Sequence, residues 1–253
     1  MTRVPTALLS LLAFVGPLFL ASPARGDAAG DKALATTDAA MTRAKDQMYE
    51  YEITTQEPGK AKTKLTMRVH VKGKSWRLID FLAPGDIKGM RYLVLSMSQM
   101  YVYLPAYQKV RRVASHARSQ SFMGTALSQD DASLTTYGEY YSGKLLEETK
   151  SYWKVEGTKR PGKDAPYPRV VMTIAKEHQQ ATELLWFNDK GVKLKTETRW
   201  DYECQDNICG PKKMRMVDHT RGGMWTEFNR LGWKVNTGIA DSEFTPRALQ
   251  RAK

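Results

Sequence analysis

The sequence predicts a mainly β (α+β) protein, a curved antiparallel sheet accompanied by a few helices. Short segments of alternating apolar and polar residues recur from Tyr49 almost to the end of the chain, the period-2 signature of strands with two different faces. Turn chemistry separates many of them, at Lys72-Gly73-Lys74, at Asn188-Asp189-Lys190-Gly191 and at Gly222-Gly223. A meander of about ten or more such strands twists too strongly to remain flat, so it must curl and fill its concave face.

Taken in order, residues 1–26 read as a secretory signal. Arg3 supplies the positive start, residues 7–20 an apolar core interrupted at Gly16-Pro17, and Ala24-Arg25-Gly26 a small-x-small cleavage site. The apolar run is too short and too broken to span a bilayer, and no cysteine stands near the cleavage site to carry a lipid. Cleavage after Gly26 leaves residues 27–253, expected to be one exported, soluble domain large enough for a sizeable core. Residues 31–47 read as an amphipathic helix, with Leu34, Met41 and Met48 at heptad spacing.

Strands follow. The clearest covers residues 64–71, where Leu65, Met67, Val69 and Val71 face one way and Lys64, Thr66, Arg68 and His70 the other. The same pattern predicts strands over 76–82, 91–95, 100–104, 137–146, 152–156, 170–175 and 183–187. It predicts four more over 192–202, 213–218, 225–229 and 232–235. One interruption breaks the series: Ser128-Gln129-Asp130-Asp131 reads as the start of a short helix, with Ser128 as N-cap and Asp131 reaching back from the third position.

Cys204 and Cys209, the two cysteines of the chain, flank a four-residue turn between strand-like segments. In an exported protein that placement favours a disulfide across a hairpin. A redox pair, which typically has two intervening residues, and a metal clip, which needs more ligands, are the alternatives.

Enzyme signals are weak. His70, His116, His178 and His219 show no metal-site spacing, there is no G-x-S-x-G, and Ser151-Tyr152-Trp153-Lys154 puts its serine and lysine on opposite faces of a strand. Asp130-Asp131 and Glu147-Glu148 are not convergent acid/base pairs. No catalytic residue, metal or cofactor is therefore expected. The net charge of +12 suits acidic envelope components or a solvated surface, since export removes nucleic acid as a partner. Met67, Met90, Met97, Met100, Met123, Met172, Met214, Met216 and Met224 recur in strand and loop positions, and flexible thioethers suit either ordinary core filling or a cavity that adapts to its contents.

Residues 100–125 combine these features. Met100, Val102 and Leu104 alternate with Tyr101 and Tyr103, Pro105 interrupts the ladder, and Lys109, Arg111, Arg112 and Arg118 form a basic run before Ser121-Phe122-Met123-Gly124. This order, YLPA…KVRR…R…SFMGT, resembles the outer-membrane lipoprotein-sorting proteins of the LolA/LolB-like group, particularly a branch associated with lipid-exporting transporters. Asp241 to Leu249 is similar to that family's closing F-(S/T)-P-x-x-L, whereas Ala126-Leu127-Ser128-Gln129-Asp130-Asp131 departs from the aromatic-acidic segment the branch carries after the glycine.

The resemblance implies an incomplete antiparallel β-barrel with helices covering or plugging an apolar hollow. It also implies a periplasmic, monomeric carrier of a lipidated protein or envelope lipid, with transient membrane contact and an inner-membrane lipid-exporting transporter as a partner. On that reading Phe122 and Met123 act at the opening, Met67, Val69, Met100 and Leu104 line the hollow, and Arg111, Arg112 and Arg118 stand near its mouth. It further implies a cavity arginine, for which Arg68 and Arg77 are the candidates. A sensor or adaptor of the same fold, binding a protein partner through its basic face, is the alternative.

Overall fold

The structure, a computed structural model, describes residues 26–251. All of the predicted signal except Gly26 lies outside the described residues. The chain opens with α1 (Ala28–Met41) and continues through β1 (Asp46–Gln56), β2 (Thr63–Lys72), β3 (Trp76–Ala83), β4 (Arg91–Ser96), β5 (Gln99–Leu104) and β6 (Lys109–Arg112). After a long connection holding α2 (Gln129–Ser133) come β7 (Tyr141–Glu148), β8 (Tyr152–Lys159), β9 (Arg169–Ala175), β10 (Gln180–Phe187), β11 (Lys193–Gln205), β12 (Ile208–Asp218) and β13 (Met224–Val235). No helix among the described residues is long and apolar enough to cross a membrane.

The strands form one 13-stranded antiparallel sheet in the order β6-β5-β4-β3-β2-β1-β13-β12-β11-β10-β9-β8-β7. Pairing of β1 with β13 puts the first and last strands side by side near the middle. The edges β6 and β7 do not pair, so the sheet is open and not closed into a barrel. The chain must nevertheless pass from one edge to the other, and the 113–140 connection does so across the concave side. Its Phe122, Ala126, Leu127 and Tyr137 therefore join the inner core with Ile53, Met67, Phe81 and Phe228.

Several boundaries differ from the sequence reading. The helix ends at Met41, and Met48 lies in β1. The seventh strand starts at Tyr141, because Tyr137–Tyr140 form a turn in which the Tyr140 and Tyr141 N–H groups donate to the Tyr137 carbonyl. The segments over 225–229 and 232–235 are one strand, β13, bent by a bulge opposite Glu50/Tyr51. Part of the basic run forms β6.

An open edge needs protection against stray pairing, and at β7 the start of α1 provides it. Asp27 caps α1 by accepting from the Gly30 N–H at 2.6 Å, and its own N–H donates to the Gly143 carbonyl at 2.7 Å. The Gly143 N–H in turn donates to Asp31 at 2.8 Å. Helix and strand meet at Gly30 and Gly143, where a Cβ added to Gly30 would come within 2.4 Å of the Gly143 carbonyl carbon. The outer face of β3 and β4 carries a smaller core of Leu78, Leu93, Phe244 and Leu249, so the closing segment packs on the convex side. Arg91, 8% exposed, ties it down by bonding Asp80 at 2.6 Å and the Ala248 carbonyl at 2.6 Å.

Candidate functional site

The inward residues of β1, β2, β12 and β13 enclose a cavity of about 250 Å³ under the 113–140 connection. Tyr49 and Tyr51 on β1 stand opposite Val69 and Met67 on β2, and Met214, Met216 and Phe228 complete the wall. The roof comes from Phe122, Leu127, Ala132 and Leu134. At one end the rim is formed by Thr42, the exposed Gly73 and Lys74 of the β2–β3 turn, and Cys209, Gly210 and Pro211.

That last stretch is pinned. Cys204 and Cys209 are directly opposite in the β11–β12 ladder and form a disulfide, with Cα atoms 4.0 Å apart. Asp206 and Asn207 at the tip both take positive φ, 50° and 61°, the conformation a two-residue hairpin turn requires. The Gln180 side chain donates to the Cys209 carbonyl at 2.5 Å, and Arg43 donates to the Asn207 carbonyl. The loop read from the sequence as a stapled hairpin is thus one lip of the cavity.

Polar groups occupy the floor. Arg199 pairs with the buried Glu197 at 2.6 Å and donates to the Tyr137 hydroxyl at 3.0 Å. Burial opposes the charge on Arg199, but Glu197 outweighs it and holds the guanidinium well above its ordinary value. Arg77 on β3 projects inward beside Ile79 and donates to the Ala132 carbonyl at 2.6 Å. It has no carboxylate partner in an ion pair among the described residues. Burial lowers its pKa, and the hydroxyls of Tyr49 and Tyr137 partly compensate. Burial also raises the Tyr51 hydroxyl to about 12.

Of the two arginine candidates, Arg77 faces the cavity. Arg68, with the opposite parity on its strand, pairs with Glu50 at 3.1 Å on the other face. Met67, Val69 and Phe122 line the cavity, and Phe122 is 4% exposed, wedged against Tyr92 at 5.2 Å and Phe81 at 6.0 Å between ring centroids. Met100 is buried beneath the Tyr92 hydroxyl, and Leu104 is half-buried at the end of β5; neither lines this cavity. Met123 points to a separate hollow at the opposite ends of β1 and β2.

Arg111 and Arg112 sit exposed on edge strand β6, Arg111 over the Tyr107 ring and Arg112 bonded to the Ser98 carbonyl. Arg118 bridges Asp130 at 2.8 Å and Asp164 at 2.5 Å, which fastens the connection. The cation at the rim is instead Lys74. Sequence reasoning missed Tyr49, Tyr51, Glu197, Arg199 and Phe228. The cross-strand pairing of Tyr49 and Tyr51 with the predicted inward Val69 and Met67 was the signal that could have found the first two.

Residues 73–251 match the profile of a family described as uncharacterized proteins. Among solved structures, a DUF1329 family protein from Desulfovibrio piger is 25% identical with a TM-score of 0.80, over 87% of this chain and 98% of that one. A putative outer membrane lipoprotein-sorting protein domain from Vibrio parahaemolyticus is 23% identical with a TM-score of 0.78, over 88% and 99%. A LolA superfamily protein from Nitrosomonas europaea is 18% identical with a TM-score of 0.70, over 85% and 97%. The fold is therefore LolA-like. No curated protein matches the sequence.

Proposed function

The chain belongs to the family of uncharacterized proteins whose profile matches residues 73–251, and on that premise we propose that it is a periplasmic carrier without catalytic chemistry of its own. It shelters acyl chains of a lipoprotein or an envelope lipid in the inner cavity and hands them between membrane partners, one of them an inner-membrane lipid-exporting transporter. The observation that carries this reading is the cavity itself. Its wall combines Met67, Met214 and Met216 with Tyr49, Tyr51 and Phe228, thioethers that adapt to chain shape beside rigid rings that exclude water. The LolA-like fold and the predicted secretory signal support the same assignment.

Arg77 gives the cavity a polarity suited to lipids. A guanidinium bonded to one backbone carbonyl keeps donors for an anionic or ester head group. The same bond holds Ala132, and with it the α2 region, over the cavity. A head group that takes over Arg77 removes one of the bonds that hold α2, beside those from Arg118, Lys195 and Tyr167. At about 250 Å³ the cavity lies just under the lower end of small-molecule sites, and a long chain needs room beyond it.

Vesicle-to-vesicle transfer of a fluorescent phospholipid, and of a synthetic diacylated lipopeptide, tests the proposal. The expected result is transfer that scales with protein concentration and changes little with salt. Absence of transfer for both probes, or protein-partner binding that falls steeply with salt while no lipid is taken up, overturns the carrier reading.

A further inference from the structure

Beyond the first cavity, the concave face holds a second hollow of about 420 Å³ whose base is Ile53, Leu65, Ile87, Met123 and Met224. Its rim is charged, with Glu57, Lys60, Lys64 and Asp86. The two hollows share their walls. On β1 Tyr51 lines the first and Ile53 the second; on β2 Met67 lines the first and Leu65 the second. Ile53 is directly opposite both Leu65 and Phe228 in the ladders. Inward neighbours two residues apart are separated by about 7 Å along a strand, so the hollows adjoin end to end.

What stands between them is the 121–128 loop. It is compact and anchored: the Phe122 N–H donates to the Leu127 carbonyl at 2.7 Å, and the Ala126 N–H donates to the Thr226 hydroxyl of the wall at 2.8 Å. Arg221 donates to the Thr125 carbonyl at 3.1 Å. At its tip Met123 and Gly124 both take positive φ, 50° and 76°. For Met123, a non-glycine residue, this left-handed conformation is uncommon. The consequence is that consecutive side chains are split. Phe122 turns into the first cavity and Met123 lines the second.

We infer that the two hollows are halves of one acyl-chain passage divided by the Phe122 side chain, which sets how long a chain the carrier accepts. The inference rests on the carrier reading and deepens it: the first cavity takes the proximal part of the chain, and rotation of Phe122 away from Phe81 and Tyr92 admits the distal part to the apolar base of the second. The loop backbone stays fixed by its wall bonds, so the moving part is one ring. Each methylene admitted past the ring raises affinity about fourfold, equivalent to about 0.8 kcal/mol.

The test measures binding of octanoate, dodecanoate, palmitate and stearate to the full-length exported protein and to two variants at position 122. Phe122→Trp enlarges the divider, and its affinity is expected to stop rising beyond the medium chains. In the wild type, affinity is expected to keep rising to palmitate. Phe122→Ala removes the divider, and the long acids are expected to gain relative to octanoate. Because removing a buried phenylalanine weakens folding, Met123→Trp serves as a second variant that fills the far hollow from the half-exposed loop tip. It is expected to lower palmitate affinity at least tenfold while octanoate binds as before. A chain-length profile that is the same in wild type, Phe122→Trp and Met123→Trp overturns the shared passage. Failure of every acid to bind the wild type removes the carrier reading with it.

Discussion

Arg77 is the residue on which the site's chemistry turns. It is a cation among tyrosines, bonded to the Ala132 carbonyl and lacking a carboxylate among the described residues. Arg199, by contrast, is neutralised by Glu197, so its charge is spent locally. Replacing Arg77 by methionine keeps the volume and apolar stem but removes a charge-assisted bond, worth about 1.5 kcal/mol or more. Affinity for an anionic phospholipid is expected to fall at least tenfold in Arg77→Met, while that for a neutral diacylglycerol changes little, as read by fluorescence titration. The family resemblance made this residue legible as one of two candidates, Arg68 and Arg77. Choosing between them needed the side of the sheet each strand turns inward, and that depends on how the β2–β3 hairpin pairs. The basic run at Arg111, Arg112 and Arg118 illustrates the converse. Its charges were plain in the sequence, but whether they face a mouth, an edge or an acidic neighbour is decided by Asp130, Asp164 and the Ser98 carbonyl, distant in the chain.

Among the elements, α1 and the closing segment act as clamps on opposite faces. The contact between Gly30 and Gly143 leaves no room for a side chain. Gly143→Ala is expected to cost about 2 kcal/mol through overpacking, seen in urea unfolding, and to loosen the cavity rim, since Met41 and Thr42 close the same helix. On the convex face, burial pushes the Asp80 carboxyl up, but the His70 and Arg91 bonds outweigh it and hold it below its ordinary 3.8. A carboxyl depressed in the folded state contributes stability above that ordinary value, and the contribution is lost as pH falls through the folded one. The protection factors for amide exchange at Phe244 and Leu249, which correct for the intrinsic rate, are therefore expected to fall as the pH drops below about 4. Asp80→Asn should bring the lower protection to neutral pH and flatten its pH dependence. The strands themselves were largely legible, because burial of one face writes alternation into the sequence. The helix end was not: Ala44 is buried beyond it and Met48 continues the heptad by coincidence. The bulge that joins the last two predicted segments into β13 leaves no compositional mark.

For the whole molecule, openness is the property that matters. A 13-stranded sheet whose edges never meet forces the connection between β6 and β7 across its concave side, and that crossing makes the hollow a covered one. The curvature and the need to fill the concave face follow from strand number alone. Whether the filling is side chain or space depends on which residues the crossing segment brings inward. Here Phe122, Leu127 and Leu134 roof a methionine-rich wall without filling it. The measurement that tests this account most directly is native mass spectrometry of the protein purified from a cell envelope without detergent, followed by lipid extraction. The account predicts a bound acyl lipid that is lost on delipidation and regained from vesicles. A protein that carries no lipid as purified and takes none up from vesicles would contradict it.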